Sequence, residues 1–201
     1  MTRVLLATRN VKKLRELRRI LDAEGVSGIE LAGLADVEEF DEAPETGATF
    51  EENALAKARD AAAATGLPAI ADDSGLRVDA LNGMPGVLSA RWAGRHGDDQ
   101  ANLDLVLAQT ADVPDERRGA AFVCAAALVV PGGQEQVVRG EWRGALTRKA
   151  LGTNGFGYDP IFVPEGETRT SAELDPAEKD DLSHRGRAMR LLLPHLRALT
   201  G

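Results

Sequence analysis

Two adjacent carboxylates, a hydroxyl and a glycine, Asp72-Asp73-Ser74-Gly75, follow the short apolar run Ala69-Ile70-Ala71. Such a run reads as a buried strand, and the polar tetrad as a loop at its carboxyl end. Side chains alternate along an extended chain, so one of Asp72 and Asp73 faces a cleft and the other braces the turn. Gly75 permits a sharp exit or the close approach of a ligand. A third hard oxygen ligand, Glu45, precedes a helix on which Asn53 and Lys57 lie one turn apart and share a face. Cations come from Lys13, Lys57, Lys179 and Arg185. Thr8 and Asn10 carry oxygens that cap a helix start, whose amides offer an anion site within reach of Lys13. In residues 151–160, glycines surround Phe156, Tyr158 and Asp159, which suits a flat ligand with a ring stacked on it.

These ingredients belong together in one chemistry. Proteins usually hold a nucleoside triphosphate through Mg2+ bound by one or two carboxylates plus phosphate oxygens, because this ion keeps several waters. The ion also removes the repulsion between an acidic loop and a polyanion. On residues alone, two other readings stay open: a phosphatase with Asp72 or Asp73 as covalent nucleophile, and a nucleotide-binding module without turnover.

The elements that must position these groups alternate between strand and helix. Residues 3–7 predict a buried strand, and Val11, Leu14, Leu17, Ile20 and Leu21 recur at helical spacing across residues 11–21. Residues 28–31 suggest a second strand. An acidic run (Asp36, Glu38, Glu39, Asp41, Glu42, Glu45) leads to a helix opened by a Thr49/Glu52 capping box and ending near Thr65. A further strand is expected over residues 76–81, then a turn at 82–86 and a helix capped by Asp98 or Asp99 and reaching Gln109. Two long strands, residues 120–130 and 136–147, form a hairpin, and a short strand follows at 161–163. Residues 177–181 predict a helical turn, and a last helix runs from a Ser183 cap through Leu193 to a stop or kink at Pro194. Lys179, His184 and Arg185 cluster at that junction. Strands alternating with helices, then a long hairpin, indicate an α/β sandwich around a mixed sheet.

Composition narrows the partners. A chain of 201 residues is long enough for a substantial core in one domain or two small lobes. A net charge of -8 argues against broad nucleic-acid binding, which needs a basic face. The single Cys124, inside an apolar run, reads as a core residue and excludes disulfides within the chain. No apolar run is long enough to span a bilayer and no signal peptide is visible, so the expected compartment is the cytoplasm.

The ordered set of motifs resembles one family. Thr8-Arg9-Asn10 with Lys13, Glu45-Thr46-Gly47 through Phe50, Glu52-Asn53-Ala54, Lys57-Ala58, Ala71-Asp72-Asp73-Ser74-Gly75-Leu76, Gly83 through Pro85-Gly86 to Ser89-Ala90-Arg91, Gly155-Phe156-Gly157-Tyr158-Asp159-Pro160 and Ser183-His184-Arg185 are similar to the inosine/xanthosine triphosphate pyrophosphatases. The likeness runs in order over residues 4–196. It implies a homodimeric, Mg2+-dependent hydrolase that converts ITP, dITP and XTP to monophosphate and pyrophosphate. It implies an elongated α/β fold, with a mixed central sheet flanked by helices and two lobes of one 1–201 domain around an active-site cleft. By the same likeness, Thr8, Arg9, Asn10 and Lys13 contact phosphates, with Lys57 among the cations that serve them. Asp73 is the proton acceptor and a metal ligand, Glu45 helps hold metal, and Ser74 touches substrate. Phe156, Gly157, Tyr158 and Asp159, with Lys179, His184 and Arg185, grip the base.

Overall fold

A computed structural model describes residues 1–41 and 44–200; Glu42 of the acidic run lies outside them. The chain is mixed α/β, with a six-stranded sheet flanked by helices. In chain order come β1 (Thr2–Leu6), α1 (Val11–Ala23), β2 (Ile29–Gly33), α2 (Phe50–Thr65), β3 (Ala69–Val78) and α3 (Asp99–Gln109). Then follow β4 (Gly119–Val129), β5 (Glu135–Leu146), β6 (Phe162–Pro164), α4 (Pro176–Leu182) and α5 (His184–Arg197). The strand order is β2-β1-β3-β4-β5-β6. β1 runs parallel to both β2 and β3, and β5 runs antiparallel to β6. Among the described residues no helix is long and apolar enough to cross a membrane.

The chain divides into two compact units: Met1–Asp73 with Cys124–Gly140 and His184–Gly201, and Ser74–Val123 with Glu141–Ser183. In the first unit, successive residues Val4, Leu5 and Leu6 are all buried, so both faces of β1 are covered. Leu17, Ile20 and Leu21 of α1 and Ala188, Met189, Leu192 and Leu196 of α5 pack in one core with Ile70 and Cys124. Cys124 is therefore the core residue its apolar surroundings suggest. Val11, counted with the apolar stripe of α1, is instead 57% exposed, because it opens the helix beyond the sheet's cover. The second unit has its own core, in which Phe122 and Trp142 meet the Phe162 ring edge-on around Leu76, Val106 and Leu174.

Two expectations fail locally. The tetrad Asp72-Asp73-Ser74-Gly75 is not a loop: β3 runs unbroken from Ala69 to Val78, so the strand expected over 76–81 is the end of β3 as far as Val78, and Asp79–Leu81 form a 3-10 turn. β3 lies between β1 and β4, but the β1 register reaches only Ala69 and Ile70; beyond them side chains help satisfy the backbone, Lys57 Nζ donating to the Asp72 carbonyl and Ser89 Oγ accepting from the Leu76 amide. Of the stop or kink expected at Pro194, the stop does not occur: the last helix continues to Arg197. An interior proline costs about 3 kcal/mol. Burial of Leu192, Leu193 and Leu196 on either side contributes about 1.5–3 kcal/mol per side chain and outweighs it. The Thr49 cap forms as read, since its hydroxyl accepts from the Glu52 amide, but Glu52 reaches the Ala48 amide rather than that of Thr49.

Candidate active site

The parallel register that pairs Leu6 with Ile70 carries the turn after β1 to the level of Asp72 and Asp73. In that turn Thr8 Oγ1 accepts from the Asn10 amide, and Asn10 Oδ1 accepts from the amides of Lys12 and Lys13. Asn10 is thus the cap of α1, and Thr8 shapes the turn before it. Lys13 lies on the first turn of α1 and sends its ammonium to Asp72 Oδ2 at 3.1 Å. Arg9 points elsewhere, donating to the Phe40 carbonyl at 3.3 Å beside a cavity of about 360 Å³ lined by Leu34, Val37 and Glu38.

Lys57 is the hub of the acidic groups. Its Nζ lies 2.5 Å from Glu45 Oε1 and 3.8 Å from Asp73 Oδ1, and donates to the Asp72 carbonyl at 3.2 Å. Burial alone would favour its neutral form, but Asp73 and Glu45 more than reverse this and raise its pKa. The two neighbouring aspartates are driven apart. Burial pushes Asp72 up, yet Lys13, Arg185 and Lys57 together hold it well below the usual carboxylate range. Burial also pushes Asp73 up, Glu45 adds repulsion, and the attraction of Lys57 and Lys13 falls short, so its pKa ends raised. Asp72 is a fixed anion; Asp73 is a carboxylate with heightened proton affinity. Carboxyl pairs split in this way are the usual arrangement where one must accept a proton.

Asn53 ties the acidic loop to this pair. Its Nδ2 donates to Asp73 Oδ2 at 2.9 Å, and its Oδ1 accepts from the Gly47 amide at 2.8 Å. An added Cβ at Gly47 would sit 2.6 Å from Asn53 Oδ1, so the segment Glu45-Thr46-Gly47 needs its glycine. The sequence showed that Asn53 and Lys57 share a face; the role of Asn53 as a brace for Asp73 it did not show.

Arg185, expected to grip the base, is 1% exposed, with its guanidinium paired to Glu16 and placed 3.4 Å from Asp72 Oδ2. Two buried carboxylates hold it because an isolated buried guanidinium would be far too costly. Glu16 escaped notice, although a glutamate on the buried side of an amphipathic helix, three residues after Lys13, is itself a signal. His184 opens α5 and is buried. Its carbonyl lies 2.1 Å from where a Cβ on Gly140 would stand, so β5 approaches the helix start closely.

The second unit holds the aromatic loop. Lys179 and Asp159 form a buried pair at 2.8 Å, and Asp159 also accepts from Ser171 Oγ and the Phe156 amide. Lys179 Nζ stands 5.2 Å from the centroid of the half-buried Phe156 ring. Tyr158 is buried and donates its hydroxyl to the Ser89 carbonyl at 2.8 Å, while the Gly157 amide donates to Asp99. Tyr158 and Asp159, both expected to touch the base, also hold the loop and the lysine in place. Ser74 lies on β3 in this unit and is partly exposed. Ser89, whose residue type alone suggests no role, fastens β3 by accepting from the Leu76 amide and donating to the Gly86 carbonyl.

Glu45 and Asp73 both face the ammonium of Lys57, so two hard oxygen donors already converge on one cationic position. Among the described residues no group of three or more His, Cys, Asp or Glu side chains is arranged to hold a metal by itself. A set of two carboxylates suits an ion that completes its shell with water and phosphate oxygens.

The first unit thus gathers Lys13, Lys57, Glu45, Asp72 and Asp73 beyond the carboxyl end of β1, which runs parallel to β2 and β3. Residues 4–195 match the Ham1 family, and the chain belongs to it. A dITP/XTP pyrophosphatase of Nocardia farcinica is 72% identical over 199 residues, covering 99% of this chain and 97% of that protein. The crystal structure of a nucleoside-triphosphatase / dITP/XTP pyrophosphatase from Mycobacterium abscessus is 65% identical. It has a TM-score of 0.78 over 97% of this chain and 100% of that one. A HAM1 protein from Coxiella burnetii, 42% identical, reaches a TM-score of 0.85 over 98% of each chain.

Proposed function

We propose that this protein hydrolyses non-canonical purine nucleoside triphosphates, ITP, dITP and XTP, to the monophosphate and pyrophosphate, and so removes deaminated purines from the nucleotide pool. The observation that carries the reading is the cluster in which Lys57 links Glu45 to Asp73 while Lys13 leans on Asp72, within a chain so close to named dITP/XTP pyrophosphatases. The full chain acts as one functional domain.

In this mechanism Asp73 orients a water against the alpha phosphorus and accepts its proton; the new bond joins the water oxygen to that phosphorus, and the bridge to the beta phosphorus breaks. The raised pKa of Asp73 equips it for that proton. Lys13, Lys57 and the amides beyond Asn10 take up phosphate charge. Glu45 and Asp73 are the residues that would hold Mg2+, which when bound supplies charge neutralisation to the polyphosphate. Phe156 stacks on the purine, and Lys179 meets its 6-oxo acceptor. His184 and Ser74 belong to the same substrate set. A site built to donate to a 6-oxo group leaves a buried donor unpaired when a 6-amino group arrives, which disfavours ATP.

Chromatography of the products from ITP tests the reading. Equal amounts of IMP and pyrophosphate are expected, with ITP and XTP preferred over ATP. Turnover should cease with a chelator and return with Mg2+. IDP and orthophosphate in place of IMP and pyrophosphate would refute it. The family likeness also supports a homodimer, to be measured by light scattering, and a cytoplasmic enzyme, to be checked by cell fractionation.

A further inference from the structure

We infer that Arg118 and Arg148 are positioning residues for the base-stacking loop: each crosses from one side of the loop's neck to backbone carbonyls on the other, and together they fix where Phe156 stands. The inference rests on the stacking role given to Phe156 above, and every residue in it belongs to the second unit.

The neck consists of the two segments that enter and leave residues 152–159. The Thr147 amide donates to the Ile161 carbonyl at 2.9 Å and the Leu151 amide to the Pro160 carbonyl at 2.8 Å, so entry and exit are joined. Arg118, just before β4, is buried. Its Nε donates to the Leu146 carbonyl at 3.0 Å, Nη2 to the Thr147 carbonyl at 2.7 Å, and Nη1 to the Thr110 carbonyl just past α3. Arg148 makes the reverse crossing. From the neck, its Nη1 and Nη2 donate to the carbonyls of Ala111 and Val113 at 3.0 and 3.1 Å. Its contact with Asp115 is a surface ion pair and adds little. Every acceptor that Arg118 meets is a neutral oxygen. Burial disfavours its charge and the Arg148 guanidinium adds repulsion, against partial relief from Asp115. Filling a core with such a group is costly. What it offers in return is a rigid fork of five donors, able to tie three separate carbonyls at once, which an apolar side chain or a lysine cannot do. The far edge of the loop has its own tie: the Thr153 and Asn154 amides donate to the Ala172 carbonyl, and Asn154 Nδ2 to the Leu174 carbonyl. The loop is thus held at two edges, and the arginines supply the hold at the neck.

Arg148→Ala removes the exposed half of this clamp and leaves the core untouched, since the Arg148 side chain is 52% exposed. Arg118→Lys keeps a buried cation but cannot span the three carbonyls. Two readouts on the full chain separate positioning from a merely structural role. By calorimetry, IMP should bind about threefold more weakly in Arg148→Ala and about tenfold more weakly in Arg118→Lys, because the stacking ring is misplaced. Inorganic pyrophosphate, which engages only the phosphate cations, should bind both variants with wild-type affinity. Hydrogen exchange at the Phe156 and Gly157 amides, now held by Asp159 and Asp99, should quicken about tenfold while the β4 amides keep their protection. The KM for ITP should rise with kcat within about threefold, as expected when ground-state and transition-state binding fall together. Unchanged IMP affinity in folded variants overturns the inference. So do unchanged exchange at the two loop amides and an equal weakening of IMP and pyrophosphate, which would mark general loosening of the fold. Should Arg118→Lys fail to fold, Arg148→Ala decides by the same results. Exchange and IMP binding need no turnover, so wild-type protein that binds IMP yet leaves ITP intact would refute the proposed activity and not this inference.

Discussion

Asn53 offers a sharp test of how the acidic groups are held. Its carboxamide has only one orientation that satisfies both neighbours, because Gly47 presents a donor and Asp73 an acceptor. Asn53→Ala removes two hydrogen bonds of unequal weight. The bond to Asp73 is buried and charge-assisted, worth about 1.5–3 kcal/mol, whereas the bond to the half-buried Gly47 amide is worth about 0.5–1.5 kcal/mol because water replaces it. A stability loss of about 2–4 kcal/mol is expected in chemical denaturation. The catalytic consequence is larger than the stability suggests. Asp73 loses the contact that fixes Oδ2, and misplacing a reacting group by about 1 Å costs about 100-fold in rate.

Asn53→Asp separates hydrogen bonding from shape. Aspartate fills the same volume and still accepts from Gly47, but it sets a second carboxylate against Asp73 Oδ2 at the 2.9 Å spacing of the native contact. Two like charges so close cannot both ionise, which pushes Asp73 further up. Asn53→Asp is therefore expected to be less active at neutral pH than Asn53→Ala, despite being the smaller change in shape, with single-turnover kinetics on ITP as the assay. If Asn53→Ala keeps wild-type stability and rate, or if Asn53→Asp outperforms it, the bracing role of this residue is wrong.

Two further predictions concern stability in the metal-free protein. Burial gives Asp73 a raised pKa, so the folded chain binds its proton more tightly than the unfolded chain, and the ionised group subtracts from stability above the ordinary carboxyl range. Asp73→Asn should be inactive yet melt higher than wild type at neutral pH, with the gain fading as pH falls through the raised pKa. Asp72→Asn should behave oppositely, since the lowered pKa of Asp72 stabilises the fold at neutral pH and that contribution is lost only in strong acid. Matching pH dependence in the two variants would contradict the split. Gly75→Ala should destabilise by about 1–3 kcal/mol, because its Cβ would lie 2.3 Å from Ser89 Oγ and 2.5 Å from the Gly86 carbonyl. Adding Ser89→Ala should not rescue it, since the backbone oxygen stays; full rescue in thermal melts would show that only the hydroxyl mattered.

What the sequence made legible follows from the range of the forces involved. Periodicity and caps are local, and they placed α1, α2 and the β4–β5 hairpin within a residue or two of their observed bounds. The tetrad at Asp72 misled because polar composition signals a turn only where backbone groups lack partners, and here distant side chains supply some of them, Lys57 at the Asp72 carbonyl and Ser89 at the Leu76 amide. Side-chain roles were harder, because charge in a list of residues does not say where it is used. Lys13, Lys57, Glu45 and Asp73 do converge within the first unit, as an ordered set of acids and bases suggested. Arg185, adjacent to His184 in sequence, reads equally well as a substrate cation; only the long-range contact with Glu16, 169 positions away, turns it inward. Tyr158 and Asp159 likewise make contacts that residue type did not announce, to the Ser89 carbonyl, Ser171 and Lys179. Buried polar groups must be satisfied by something. A motif rich in them therefore contains braces as well as ligands, and burial decides between the two where residue type cannot.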